Sequence, residues 1–139
     1  MPKQQQVLIV DDDESVRDFV SKALRQYGYD AASASNGRIA LNLLEEYHPD
    51  LILLDIMMPE LSGIEVLKLL HDCGNTTPVI ILTGLKDTEL LEQAFSLGAL
   101  DYITKPFVAS VLVARIRAKL RRVSISNISN DEAEQRKQD

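Results

Sequence analysis

Three runs of this chain, Val7–Val10 (VLIV), Leu51–Leu54 (LILL) and Val79–Leu82 (VIIL), are apolar without a break. A strand with one wet face alternates polar and apolar residues, so an unbroken run marks a strand covered on both faces. Longer amphipathic stretches separate these runs. That alternation predicts βα units, a parallel sheet and right-handed crossovers. The expected strands are Gln6–Val10, Asp30–Ala34, Leu51–Leu54, Val79–Leu82 and Asp101–Thr104. The expected helices are Glu14–Gln26, Gly37–Glu46, Gly63–His71, Thr88–Ser96 and roughly Ala109–Val123.

Local punctuation agrees with these boundaries. Gly28 follows the first helix where a left-handed cap is wanted, Asn36 and Asp87 stand at N-cap positions, and Pro49 and Pro78 precede strands where a helix must already have ended. Gly98 closes the fourth helix. Val16, Phe19, Val20, Ala23, Leu24 and Tyr27 recur at helical spacing and describe one buried face of the first helix. From Ser124 to Asp139 the composition turns polar, which predicts a frayed tail or the start of a linker rather than packed structure. The expected organisation is one folded domain over residues 1–123, with 124–139 outside it.

Bulk properties narrow the function classes. A chain of 139 residues suits one domain with a sizeable core. The net charge of −6 argues against direct contact with nucleic acid, since neutralising phosphates needs a basic surface. The basic helix end Arg115, Arg117, Lys119, Arg121 and Arg122 suits a helix dipole and has no interleaved aromatics. The single cysteine, Cys73, excludes an internal disulfide and fits a reducing compartment. No apolar stretch approaches membrane-spanning length, and Met1–Gln6 enters the first strand without a signal-peptide pattern. A cytoplasmic location and a native N-terminus are therefore expected.

The strand ends carry the chemistry. Asp11 and Asp12 follow the first expected strand, Asp55 the third, Thr83 the fourth, and Lys105–Pro106 the fifth. In a parallel α/β sheet the carboxyl ends of the strands form one rim, where ligands bind. Three carboxylates a few ångströms apart repel unless a cation neutralises them. Mg²⁺ takes one or two carboxylates together with waters and a phosphate oxygen. Asp55 ends the central run and is the best placed nucleophile, since a carboxylate can form an acyl phosphate. Lys105 would supply a point charge and Thr83 a hydrogen bond to the transferring oxygens. A lone aspartate after a strand is usually a cap or turn residue, and that bland role suits Asp13. The combination on four strands argues for a site.

At this point the chain resembles a known family. Val7–Glu14 (VLIVDDDE), Leu51–Gly63 (LILLDIMMPELSG), Ile81–Gly84 (ILTG) and Gly98–Phe107 (GALDYITKPF) are similar to the receiver domains of bacterial two-component response regulators. The resemblance runs from about Gln6 to Val123 and implies an α/β doubly wound, five-stranded parallel sheet in the order 2-1-3-4-5 with five helices. It implies that Asp55 accepts a phosphoryl group from a sensor histidine kinase or phosphotransfer protein. Asp12 would be a direct Mg²⁺ ligand, Asp11 would act mainly through metal-bound water, and the Met57 backbone carbonyl would complete the set with Asp55. Lys105 and Thr83 would hold the phosphoryl oxygens, and Thr83 with Tyr102 would form the switch. The Lys105–Pro106 bond would be cis, Pro59 and Gly63 would shape the loop after the acceptor, and Leu85 would govern water access.

The resemblance also implies an output domain or effector read through the fourth helix, fifth strand and fifth helix, and a homodimer formed on phosphorylation. In related dimers that face carries charged pairs. Here Asp101 and Arg115 remain, while Leu91, Ser96, Leu100 and Val111 replace charges, so an apolar interface around Leu90, Leu91, Val111 and Leu112 is the alternative. Two other classes are weighed. A phosphatase of the haloacid dehalogenase type needs a second aspartate where this chain has Met57. A flavodoxin-like carrier needs a Ser/Thr/Gly-rich phosphate loop where this chain has Asp11–Glu14.

Overall fold

The structure, a computed structural model, describes residues 4–84 and 87–122. The expected tail, Val123 and Leu85 lie outside these described residues. Five strands form one sheet: β1 (Gln6–Val10), β2 (Asp30–Ala34), β3 (Leu51–Asp55), β4 (Val79–Thr83) and β5 (Asp101–Thr104). They alternate with α1 (Glu14–Gln26), α2 (Gly37–Leu43), α3 (Gly63–Asp72), α4 (Thr88–Ser96) and α5 (residues 109–122). All pairings are parallel, as the sequence pattern implies, and the order is β2-β1-β3-β4-β5, as the family resemblance implies.

The unbroken apolar runs are explained by two cores, one on each face. Successive side chains of a strand point to opposite faces. Leu8, Val10, Ile52, Leu54, Val79 and Ile81 pack with Val66, Leu67, Leu70 and Ala94 of α3 and α4. Val7, Ile9, Leu51, Leu53, Ile80 and Leu82 pack with Val20 and Leu24 of α1 and Leu112, Val113, Ile116 and Leu120 of α5. Each of the valine, leucine and isoleucine side chains contributes about 1.5–3 kcal/mol when fully buried.

Several boundaries differ from expectation, each for a local reason. β3 and β4 run one residue further, because pairing continues through Asp55↔Leu82 and Thr83↔Thr104. α2 stops at Leu43 instead of Glu46: Glu45 and Glu46 donate to Asn42 and Leu43, a three-residue winding that ends the α ladder. α3 continues to Asp72. Phe19 and Tyr27 do not join the buried face of α1; they are exposed, and the Phe19 ring instead lies 5.9 Å from Phe107. The Asn36 and Asp87 N-caps are present, as is the left-handed Gly28 at φ 90°. Ser62 caps α3 by accepting from Glu65 N at 3.3 Å. The Ser62-x-x-Glu65 pattern would have marked that cap.

Candidate functional site

The strand order reverses between β1 and β3, and the crevice beyond their carboxyl ends is where an open α/β sheet binds ligands. Asp11 leaves β1 there with no exposure at all, its N–H donating to Ala34 O. Asp55 ends β3 at 4% exposure. Carboxylate oxygens of Asp11, Asp12 and Asp55 lie within 4.8 Å of one another. Lys105 reaches in from the end of β5, its Nζ 2.8 Å from Asp11 Oδ2 and 3.5 Å from Asp55 Oδ2. Thr83 is fully buried at the end of β4.

Every polar atom of Asp11 is engaged. Oδ1 accepts from Asp13 N at 2.9 Å, Oδ2 from Lys105, and the main-chain O from Arg17 Nη1 at 2.8 Å. Asp12 is exposed, and its carboxylate makes no hydrogen bond or ion pair among the described residues. Asp13 is the N-cap of α1, accepting from the Ser15 hydroxyl and N–H. These bonds hold its carboxyl below the usual range, so its bland role holds.

Electrostatics follow from this packing. Burial, reinforced by the negative charge of Asp11, pushes the Asp55 carboxyl up to about 6, with Lys105 and the Met57 N–H opposing. Burial works against the Lys105 ammonium, but the bond to Asp11 and the charges of Asp55 and Asp11 outweigh it and raise its pKa. The site therefore holds more negative charge than one lysine neutralises. A hard divalent cation would relieve that excess. The donor set suits it: Asp12 has a carboxylate to spare, and Asp11 and Asp55 lie within reach of the same point.

The loop after Asp55 is tightly built. Met57 N donates to Asp55 Oδ1 at 3.2 Å, while its side chain is exposed. Gly63 donates to Ile56 O at 2.8 Å, and a Cβ there would fall 2.3 Å from Asp55 O and 2.7 Å from Ile56 Cα. Only glycine allows that approach. Glu60 adopts φ 68°, uncommon for a residue with a side chain. The Lys105–Pro106 bond is cis.

Tyr102 is not brought into this cluster. Its ring is exposed, 6.2 Å from Phe95, and its carbonyl accepts from Arg115 Nη1 at 2.8 Å. Arg115 and Lys119 also approach Asp101 within the chain, at 3.8 and 4.0 Å. Of the apolar residues considered for an interface, Leu112 is fully buried and Leu90 and Leu91 pack against the core, so Val111 alone stands clearly exposed. Arg17 was not among the site residues expected from sequence. Its signal is an arginine one turn into the helix that follows the acidic loop.

Solved structures share this arrangement of sheet and helices. The receiver domain of the Francisella response regulator 1452 superposes with a TM-score of 0.81 at 37% identity, over 86% of this chain and 99% of that one. A CheY-like receiver domain protein from Methanospirillum hungatei JF-1 gives a TM-score of 0.85 at 29% identity, over 89% and 99%. The family model of the response regulator receiver domain matches residues 7–117, and the chain belongs to that family. The DNA-binding response regulator MtrA of Mycobacterium tuberculosis (strain ATCC 25618 / H37Rv) is 44% identical over 119 residues, 85% of this chain and 51% of its own length. The regulatory protein AtoC of Escherichia coli (strain K12) is 44% identical over 101 residues, 73% of this chain and 22% of its own length. The chain thus spans about half, or less, of the curated relatives it matches. No helix among the described residues is long and apolar enough to cross a membrane.

Proposed function

We propose that this receiver domain accepts a phosphoryl group on Asp55 from a phosphohistidine of a sensor kinase or phosphotransfer protein, in the cytoplasm, and passes the change to an output domain or effector. The observation that carries it is the placement of Asp55: at the switch point, nearly buried, with the Lys105 ammonium 3.5 Å from Oδ2 and Met57 N–H on Oδ1. An Asp55 oxygen bonds to phosphorus, the phosphorus–nitrogen bond breaks, and the imidazole keeps the electron pair. Lys105 and the Thr83 hydroxyl would stabilise charge on the phosphoryl oxygens. Asp11, Asp12, Asp55 and the Met57 carbonyl would hold Mg²⁺, which when bound offsets carboxylate and phosphoryl charge. The domain would catalyse only its own phosphorylation and dephosphorylation.

The switch would run through Thr83 and Tyr102. An added dianion draws Thr83 and Lys105 toward Asp55, which favours inward rotation of the now exposed Tyr102 ring and repacks the α4–β5–α5 face. A partner would read that face, which carries Phe95, Val111 and the Asp101–Arg115 pair; a homodimer formed on phosphorylation is one such assembly. Residues 1–123 would form the signalling domain and 124–139 lead away from it. A haloacid dehalogenase type of phosphatase is not favoured, since Met57 stands where its second acid would be. The test is intact-mass spectrometry after incubation with acetyl phosphate, with and without Mg²⁺, beside Asp55→Asn. A Mg²⁺-dependent gain of one phosphoryl group, absent in the variant, is expected; no gain despite measured Mg²⁺ binding would refute the proposal.

A further inference from the structure

Asp12 stands out among the three clustered aspartates because no hydrogen bond or ion pair holds its side chain among the described residues. Asp11 is tied at every polar atom, and Asp55 accepts from Met57 N and faces Lys105. The backbone at Asp12 therefore sets the direction from which its carboxylate approaches the other two. The peptide unit that leads into Asp12 carries the Asp11 carbonyl oxygen, and that oxygen accepts from Arg17 Nη1 at 2.8 Å. Arg17 is itself fixed: its N–H donates to Asp13 O at 3.1 Å in the first turn of α1, and its side chain is half-buried. The guanidinium bonds a main-chain oxygen, and no carboxylate lies within ion-pair distance of it among the described residues.

We infer that Arg17 is a positioning residue for the metal ligand Asp12, clamping the Asp11–Asp12 peptide plane so that the free carboxylate faces Asp11 and Asp55. The inference rests on the proposal that these carboxylates bind Mg²⁺. Partners that orient a ligand from behind typically change metal affinity 10- to 100-fold when removed. A hydrogen bond from a charged donor is strong enough to hold a peptide plane against thermal rotation.

The sign of the effect separates positioning from charge. Arg17 is a cation beside a cation site, so removing its charge alone should tighten Mg²⁺ binding. Removing a clamp should weaken it. The experiment is calorimetric titration of the 139-residue chain with MgCl₂ at fixed ionic strength, for the native sequence, Arg17→Ala, Arg17→Lys, Arg17→Gln and Asp12→Asn. The expected result is a roughly tenfold weaker Kd for Arg17→Ala, with Arg17→Lys restoring most of the affinity. Unchanged or tighter binding by Arg17→Ala overturns the inference. Should Arg17→Ala fail to fold by circular dichroism, Arg17→Gln decides: weaker binding supports the clamp, equal or tighter binding overturns it. If the native chain does not bind Mg²⁺, or Asp12→Asn binds as well as it does, the metal assignment itself fails. Native binding with an unaffected Arg17→Ala sinks only the clamp.

Discussion

Asp55→Asn should stabilise the metal-free domain, and the gain should depend on pH in a way that identifies its cause. The native carboxyl titrates at about 6 instead of 3.8, because burial and the Asp11 charge disfavour its ionised form. Folding therefore raises its affinity for a proton. Such an acid costs the fold nothing below the unfolded value. The cost grows as pH rises from about 4 and is complete somewhat above 6. The rise corresponds to about 3 kcal/mol at neutral pH. Water at the rim and the buried amide of the replacement reduce the gain, and the amide cannot attract Lys105 as the carboxylate does. A net gain of about 1–2 kcal/mol is expected.

The assay is urea unfolding in EDTA at pH 7.5 and pH 4, followed by circular dichroism. With a urea slope of about 2 kcal/mol/M, the variant midpoint should lie roughly 0.5–1 M higher at pH 7.5. At pH 4 the two midpoints should nearly coincide, because Asp55 is then protonated in the native protein. Saturating Mg²⁺ at pH 7.5 should close or reverse the gap, since a ligand at about a hundred times its Kd stabilises the native form by about 2.7 kcal/mol. Equal midpoints at pH 7.5 would refute the idea of an electrostatically costly Asp55. A gain of the same size at both pH values would show that it comes from packing and not from charge.

Other perturbations test neighbouring parts of the argument. Lys105→Ala should destabilise the metal-free protein by about 3 kcal/mol, because it leaves the fully buried Asp11 without its partner; a loss under 1 kcal/mol by urea unfolding would contradict the pairing. Gly63→Ala should cost at least about 2 kcal/mol and lower phosphorylation by acetyl phosphate, since its Cβ collides with the backbone of Asp55 and Ile56. Gly37→Ala should cost less than Gly63→Ala, its nearest obstacle being a side-chain carbon, Val66 Cγ2 at 2.6 Å, and not backbone. At Glu60, with φ 68°, Asn should raise stability by about 0.5 kcal/mol and Val should lower it by about 1 kcal/mol or more; the reverse order in thermal unfolding would argue against the left-handed turn.

The strands were legible because both faces of the sheet are covered, so apolarity ran unbroken through β1, β3 and β4. Apolarity reports burial under helices, not hydrogen bonding, which is why Asp55 and Thr83 fall inside their strands and not after them. The same limit explains Phe19 and Tyr27: helical spacing defines a stripe, and residues at its margins are buried only if a neighbour covers them. The early end of α2 depends on a tightening of the last turn that composition does not announce. At the site, residue types and strand ends were enough to gather Asp11, Asp55, Thr83 and Lys105. They could not tell which carboxylate the lysine meets, because that contact joins residues 94 positions apart.

That contact bears on how the site can work. Lys105 lies closer to Asp11 than to Asp55, 2.8 Å against 3.5 Å, so Asp55, the proposed acceptor, is left the less well neutralised of the two buried carboxylates. Burial and the Asp11 charge destabilise Asp55 in its ionised form. Any partner that offsets the charge is then favoured in proportion to what the fold has forgone. Protonation and a divalent cation both meet that need; the proposed phosphoryl transfer would not, since it exchanges one negative charge for nearly two and so deepens the site's dependence on a cation, Lys105 and Thr83. Crowding of like charge at the rim of the sheet would thus act on the proposed switch through that dependence: the added charge would draw Lys105 and Thr83 inward, and the shift of the α4–β5–α5 face would follow from their movement.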